Sequence, residues 1–202
     1  MNEVDSFLNR KAINIDISFR CPLECPRCAR QTLYRNLNKK VPGKDMTLDE
    51  IDKLSNHFSL INFSGQLSDP VQHPQFPKIL EMLYKKKVSC DVRNAASSKS
   101  LDYYIKCFRA NPNARWTFGI DGLPEESCIY RINQDGVKLF NIMCESKKYL
   151  NTTPTWQYIL FSYNEKSLTA AKELAIKNNL KFMLIHSERW QGKDDPYRPK
   201  SL

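Results

Sequence analysis

Nowhere in this 202-residue chain is there a run of about 18 apolar residues, so no segment of it is expected to span a membrane as a helix. The first residues, MNEVDSFLNRKAINIDISF, lack an apolar core followed by a small-residue cleavage site, and a secretory signal is not read there. The expectation is an intracellular, cytoplasmic protein. Seven cysteines is an odd number, and without a secretion signal a disulfide framework is excluded. Histidine is scarce: His57 and His73 stand apart in sequence, and no second Cys or His pair is available for a structural zinc site of the usual two-pair kind.

What is present is ordinary for one well-cored domain: 41% hydrophobic and 26% charged residues. Lys and Arg outnumber Asp and Glu by 31 to 22, a formal charge of +9. Such an excess draws polyanions, including nucleic acid or an acidic leader peptide, and is equally the mark of a solvated lysine-rich surface.

Short β-rich runs alternate with helical stretches. Residues 13–19 (INIDISF), 59–64, 88–93, 115–120, 155–161 and 181–185 read as six strands. Between them, 46–57, 75–86, 100–110, 135–149 and 165–178 carry apolar residues at helical spacing. The first of these opens on Thr47 with Glu50 three residues on, a capping-box pattern, and the last stops at Asn178-Asn179. This order predicts an α/β fold with parallel strands and right-handed crossovers. Six units suit either an open doubly wound sheet or a three-quarter barrel; in both, chemistry belongs at the carboxyl ends of the strands.

Directly after the first strand comes Arg20-Cys21-Pro22-Leu23-Glu24-Cys25-Pro26-Arg27-Cys28. Three thiolates at C-x3-C-x2-C on one loop can converge on one metal centre, and soft ligands select zinc, copper(I) or an iron–sulfur cluster. Three without a fourth suit a cubane that leaves one iron to another ligand. The remaining cysteines, Cys90, Cys107, Cys128 and Cys144, are scattered and read as small apolar side chains.

The loop and its place after a strand resemble the radical S-adenosylmethionine (SAM) superfamily. Later segments are similar in turn. Ser64-Gly65-Gln66-Leu67-Ser68-Asp69-Pro70 followed by His73-Pro74-Gln75-Phe76 resembles its glycine-rich stretch after the second strand, with serine in the second glycine place. Arg93-Asn94-Ala95-Ala96-Ser97 resembles a "TNGS" strand end, from which Arg93 and Ala95 depart. Gly119-Ile120-Asp121-Gly122-Leu123 with Tyr130-Arg131 resembles "S-I-D-G-L … Y-R", and the segment from Gln157 through Ile159 to Asn164 resembles the strand that frames the adenine. Ser187-Glu188-Arg189 after the sixth strand places Arg189 as a candidate for an anionic substrate group, or as a solvated arginine.

This resemblance, over about 13–190, implies a partial (three-quarter) TIM-like (β/α)6 barrel as core domain (1–190), with 191–202 as a polar C-terminal tail. It is closest to the molybdopterin-precursor synthase and peptide-maturase branch and its bacteriophage members, which would place the chain in a host cytoplasm if viral. It implies one [4Fe–4S] cluster on Cys21, Cys25 and Cys28, its fourth iron chelated by the amino and carboxylate groups of SAM. SAM-pocket candidates are Arg27, Ser64, Gly65, Ser68, Asp69, Pro70, Asn94, Ser97, Asp121, Arg131 and Ile159. The implied reaction is reductive cleavage of SAM to a 5′-deoxyadenosyl radical, which takes hydrogen from a peptide, a nucleotide or nucleic acid, or a small metabolite.

An external reductant such as flavodoxin or ferredoxin is implied as well. Arg27 stands where many relatives carry an aromatic residue against the adenine; a guanidinium plane can also stack there. Arg20, Arg27 and Arg30 put positive charge beside the thiolates. No cysteine follows Cys144, so no auxiliary cluster is expected, and a partner protein covering the open barrel side would complete such a site. The alternative is a degenerate fold of this kind that binds SAM or a partner without turnover. The triplet itself predicts that anaerobically purified protein carries iron and sulfide rather than zinc by elemental analysis. Cys→Ala at 21, 25 or 28 should remove the iron, and Cys→Ala at 90 or 107 should leave it.

Overall fold

Successive side chains of a strand point to opposite faces, and the strands of this chain use those faces differently. The structure is a computed structural model that describes residues 11–201. Its strands are β1 (Ala12–Ile15), β2 (Leu60–Phe63), β3 (Ser89–Asn94), β4 (Arg115–Gly119), β5 (Thr155–Ile159) and β6 (Lys181–Ile185). On one face Ile61, Phe63, Cys90, Val92, Trp116, Phe118, Trp156 and Tyr158 are buried. The alternating residues, among them Asn62, Asp91, Arg93, Thr117 and Gln157, are polar and less buried.

The helices α1 (Leu48–Ser55), α2 (Phe76–Lys85), α3 (Leu101–Ala110), α4 (Gly136–Ser146) and α5 (Leu168–Lys177) follow the strands in turn. Their starts are written locally. Thr47 and Glu50 close a reciprocal capping box on α1, Ser100 accepts from Tyr103 N, and Asp135 accepts from Lys138 N. Lys87 and Asn179, in the left-handed region at φ 58° and 52°, turn the chain after α2 and α5.

All six strands are parallel and lie in strict chain order, β1-β2-β3-β4-β5-β6. A doubly wound sheet would reverse its order partway; this one does not. Right-handed crossovers in a constant direction put every helix on the same face, and consecutive helices α1 to α4 pack on one another. The sheet curls inside them as a partial TIM-like barrel, open between β1 and β6, whose outer edges pair with no other strand among the described residues. The choice the spacing left open is thus settled for the barrel.

Between sheet and helices lies an aromatic core. Trp116 touches Phe108 edge to face with centroids 4.9 Å apart and stacks on Phe118 at 5.7 Å. Inside the curl the floor is polar. Asn14, Asn62, Asp91 and Arg115 are in register across β1 to β4. Asn62 Nδ2 donates to Asn14 Oδ1 at 2.7 Å, and Arg115 Nε pairs with Asp91.

Two strands stop two or more residues before the carboxyl ends of their sequence runs. β1 was expected over 13–19 but pairs only to Ile15, because Asp16 turns to the loop after β2 and Ser18 Oγ donates to Asp45 Oδ1 at 2.7 Å. β5 was expected to 161 but ends at Ile159, since Phe161 N donates to Asn164 Oδ1. Residues 31–35, for which no element was expected, form a π-helical turn. Among the described residues no helix is long and apolar enough to cross a membrane.

Two buried indoles differ in a testable way. Trp156 Nε1 donates to Ile120 O at 2.8 Å, whereas Trp116 Nε1 has no hydrogen-bond partner. Trp116→Ala should cost about 3–5 kcal/mol by urea denaturation. Trp156→Phe should cost about 1 kcal/mol more than Trp116→Phe, because only the former orphans a buried carbonyl.

Candidate active site

The cysteine loop leaves β1 and bends back at once. Cys28 N donates to Cys25 O at 3.1 Å, and the N–H groups of Gln31 and Thr32 converge on Cys28 O at 2.9 and 3.0 Å. This turn leads into the π-helical segment and brings the ends of the C-x2-C pair together. Arg30 fastens the loop by donating to the carbonyls of Phe19 and Leu67. Glu24 N donates to Ile132 O at 3.1 Å on the far side.

Cys21, Cys25 and Cys28 are unpaired, half-buried thiols that line one chamber. Burial pushes the Cys21 thiol up to about 12, reinforced by the Asp69 carboxylate. Burial likewise raises Cys25 to about 11 against the pull of Arg131. Such thiols stay neutral unless a metal centre supplies the positive charge that ionises them. Among the described residues no three His, Cys, Asp or Glu side chains stand close enough to hold a single metal ion. Three soft donors facing a chamber fit a multi-iron cluster with one position left to another ligand.

The loop after β2 forms the adjoining wall. Asp16, at the end of β1, collects its amides: Oδ2 accepts from Gln66 N and Leu67 N, each at 3.2 Å, and Oδ1 from Ser68 N at 3.1 Å and Ser68 Oγ at 2.7 Å. With its N–H groups so occupied, the loop's carbonyls are what remain for a ligand. Gly65 sits at φ 60°, and a Cβ there would come 2.7 Å from Ser68 O, so the tight turn needs glycine.

Asp69 is buried and accepts from Ala95 N and Ala96 N at 2.8 Å each and from Val71 N at 3.2 Å, stapling the β2 loop to the end of β3. Asn94 belongs to this staple: with its amide turned as its neighbours require, it donates to Asp69 Oδ1 at 3.0 Å.

At the end of β4 Asp121 is wholly buried. Its Oδ1 accepts from Ile159 N at 2.8 Å, and its Oδ2 lies 2.7 Å from Arg131 Nε. Burial alone would lower the Arg131 pKa, but the Asp121 carboxylate more than offsets this and holds the guanidinium charged. The guanidinium lies across Gly119, where a Cβ would stand 2.7 Å from Arg131 Nη2. Gln134 completes the wall by donating to Ala95 O at 2.6 Å and Gly119 O at 2.9 Å.

The chamber so enclosed measures about 520 Å³ and lies at the carboxyl ends of the strands. It brings together the cysteines with Arg27, Ser64, Gly65, Ser68, Asp69, Asn94, Arg131 and Ile159. Pro70, Ser97 and Asp121 stand behind its wall. Pro70 starts a buried 3-10 turn, the Ser97 hydroxyl accepts from Asp135 N at 2.8 Å, and Asp121 sits beneath Arg131.

Asp16, Thr117, Gln134 and His186 were not singled out from sequence. An acid at the carboxyl end of the first strand was the one available signal for Asp16. The segment read as a polar tail folds back on the cysteine loop. Asp195, buried, pairs with Arg27 Nε at 2.8 Å, and the Arg27 guanidinium lies over the Tyr197 ring, 5.6 Å from its centroid. Tyr197 in turn meets Tyr130 edge to face at 5.1 Å.

No protein-family model matches the sequence, and no curated protein resembles it in sequence. Solved structures share the fold. Streptococcus suis SuiB superposes with a TM-score of 0.72 at 9% identity, covering 94% of this chain and 42% of SuiB; other SuiB structures hold S-adenosylmethionine or the precursor peptide SuiA. A structure of anSMEcpe with bound AdoMet and the Kp18Cys peptide gives 0.69 at 15% identity, covering 94% of this chain and 55% of that one. Methylornithine synthase PylB gives 0.65 at 12% identity, covering 95% and 58%. The fold is thus a partial TIM-like barrel shared with these structures, and the chain spans about half the length of these neighbours.

The Asp195 tether is pH-dependent with a definite sign. Burial alone would raise its carboxyl, but bonds from Arg27 and from the amides of Gln191 and Tyr197 hold it below its ordinary value. A depressed folded-state pKa makes the tether fully formed above the ordinary Asp value of about 3.9 and lost as pH falls through the lower folded value. Trp190, 5.8 Å from Phe161, should report this as a fluorescence change below about pH 4. Asp195→Asn should abolish that step and loosen the segment at neutral pH.

Proposed function

We propose that this chain is a radical SAM enzyme, with Cys21, Cys25 and Cys28 holding one [4Fe–4S] cluster and SAM bound in the chamber beside it. The observation that carries the reading is the convergence of three thiols and the ends of β2, β3, β4 and β5 on one 520 Å³ chamber. A cluster held there by Cys21, Cys25 and Cys28 would, when reduced, supply the electron for cleaving a carbon–sulfur bond of SAM, and the 5′-deoxyadenosyl radical so released would take hydrogen from substrate. The neighbours' bound S-adenosylmethionine and peptides support a cosubstrate and a further substrate of the same general kinds.

The protein's own part is positional. Asp16 takes the amides of residues 66–68, so the loop can present carbonyl oxygens, the acceptors an ammonium group needs. The end of β5 at Ile159 is held by Asp121, which fixes a flat apolar wall suited to an adenine ring. Arg131 keeps a buried positive charge beside Cys25, favouring its thiolate when a metal is present. Arg27 contributes to the loop by its pairing with Asp195, and Tyr130 and Phe161 stack at 4.1 Å beneath it.

We further propose a cytoplasmic setting, a flavodoxin or ferredoxin as electron donor, and a partner or large substrate against the open side between β1 and β6. Anaerobic reconstitution with iron and sulfide, then SAM and dithionite, should yield 5′-deoxyadenosine. The Cys21→Ala, Cys25→Ala and Cys28→Ala variants should yield none. SAM binding by a fully reconstituted protein that never cleaves it would instead define a binding module.

A further inference from the structure

The arginines lining the chamber are not equivalent. Arg27 is paired with Asp195 at 2.8 Å and Arg131 with Asp121 at 2.7 Å, while Arg30 is spent on the carbonyls of Phe19 and Leu67. Arg93 lines the same chamber, is exposed, and its guanidinium makes no hydrogen bond or ion pair with any of the described residues. The reason lies in the register. The acid on its own strand face, Asp91, is taken by Arg115 of β4, and the residue opposite Arg93 on β4 is Thr117, a neutral hydroxyl.

The other carboxylates of the lining do not replace it. Asp69 is turned into the wall and filled by three amides, and Glu188 is exposed beyond β6 at the mouth. Arg189 also has no acidic partner among the described residues and reaches from beyond β6 to Gln66 Oε1, in the loop after β2, at 3.3 Å. Thr117 and Gln157 add neutral donors on the intervening wall.

A guanidinium without a counter-ion among the described residues, set in a concave site with further donors around it, is suited to an oxyanion, which its planar fork can take in two parallel bonds. We propose that Arg93 anchors the substrate of this enzyme by a carboxylate or phosphate group, with Arg189 guarding the approach. This rests on the function proposed above, and it narrows the substrate to an anionic molecule. The SAM carboxylate is committed to iron in that reading, which leaves Arg93 to the second ligand. A net charge of +9 adds long-range attraction for the same class.

The test is a titration of 15N-labelled protein, observed at the arginine Nε–Hε resonances, with inorganic phosphate in one series and acetate in another. It is run on the reconstituted protein and on the chain as purified. One resonance, missing from Arg93→Gln, should shift saturably; the anion that saturates it at lower concentration identifies the phosphate or the carboxylate source. Arg93→Gln should weaken that anion at least tenfold and Arg93→Lys should fall between, since a point charge lacks the fork. Unchanged thermal melting of both variants shows that folding is not the cause.

An Arg93 resonance indifferent to both anions, or unaltered anion affinity in Arg93→Gln, overturns the proposal. So does a tenfold loss of SAM affinity in reconstituted Arg93→Gln by equilibrium dialysis, which would hand Arg93 to SAM. Failure of the wild-type protein to form a cluster sinks the enzyme reading instead, and the phosphate series on the purified chain is still readable in that case.

Discussion

Where parallel strands end, their loops carry amide N–H groups that no neighbouring strand accepts, and this barrel answers that constraint with aspartates. Asp16 at the end of β1 takes the amides that follow β2. Asp69 after β2 takes those that follow β3, and Asp121 after β4 takes that of Ile159 on β5. Each carboxylate reaches one strand onward along the sheet. These links fix the part of the chamber wall built from the ends of β2, β3 and β5. A carboxylate accepting two or three amides is among the stronger neutral-to-charged hydrogen-bond arrangements, and here it doubles as the scaffold of a ligand site.

The same constraint explains how far the sequence could be read. The barrel units and helix caps are local patterns, and Thr47 with Glu50, Ser100 and Asp135 behave as their spacing predicts. The cysteine triplet is local too. Asp69 and Asp121 were picked out as residues of the pocket, and they serve it by holding backbone. Asp16 and Asp195 could not be found in this way. The amides Asp16 holds lie 50 to 52 positions away and the arginine Asp195 pairs with lies 168 away, so no window of sequence contains both ends. Ser97 shows the same limit: its hydroxyl meets Asp135 N, 38 positions on.

Charge is arranged with similar economy of means. The arginines that would crowd the cysteines are mostly neutralised or spent on carbonyls, and burial favours the neutral form of the Cys21 and Cys25 thiols. The chamber arginines left without an acidic partner among the described residues are Arg93 and Arg189.

The gap between β1 and β6 has a kinetic consequence. In a closed barrel the first and last strands must meet, and that contact spans the whole chain. Here each strand pairs only with its predecessor, so sheet growth needs only contacts of modest sequence separation, which favours rapid, stepwise assembly from the amino-terminal strand onward. At the site the cysteine loop meets the carboxy-terminal segment through Arg27, which pairs with Asp195 and lies over the Tyr197 ring, side-chain contacts where a ladder would otherwise stand. Assembly of this barrel therefore finishes with a side-chain clasp, which can be undone and remade without unfolding the sheet.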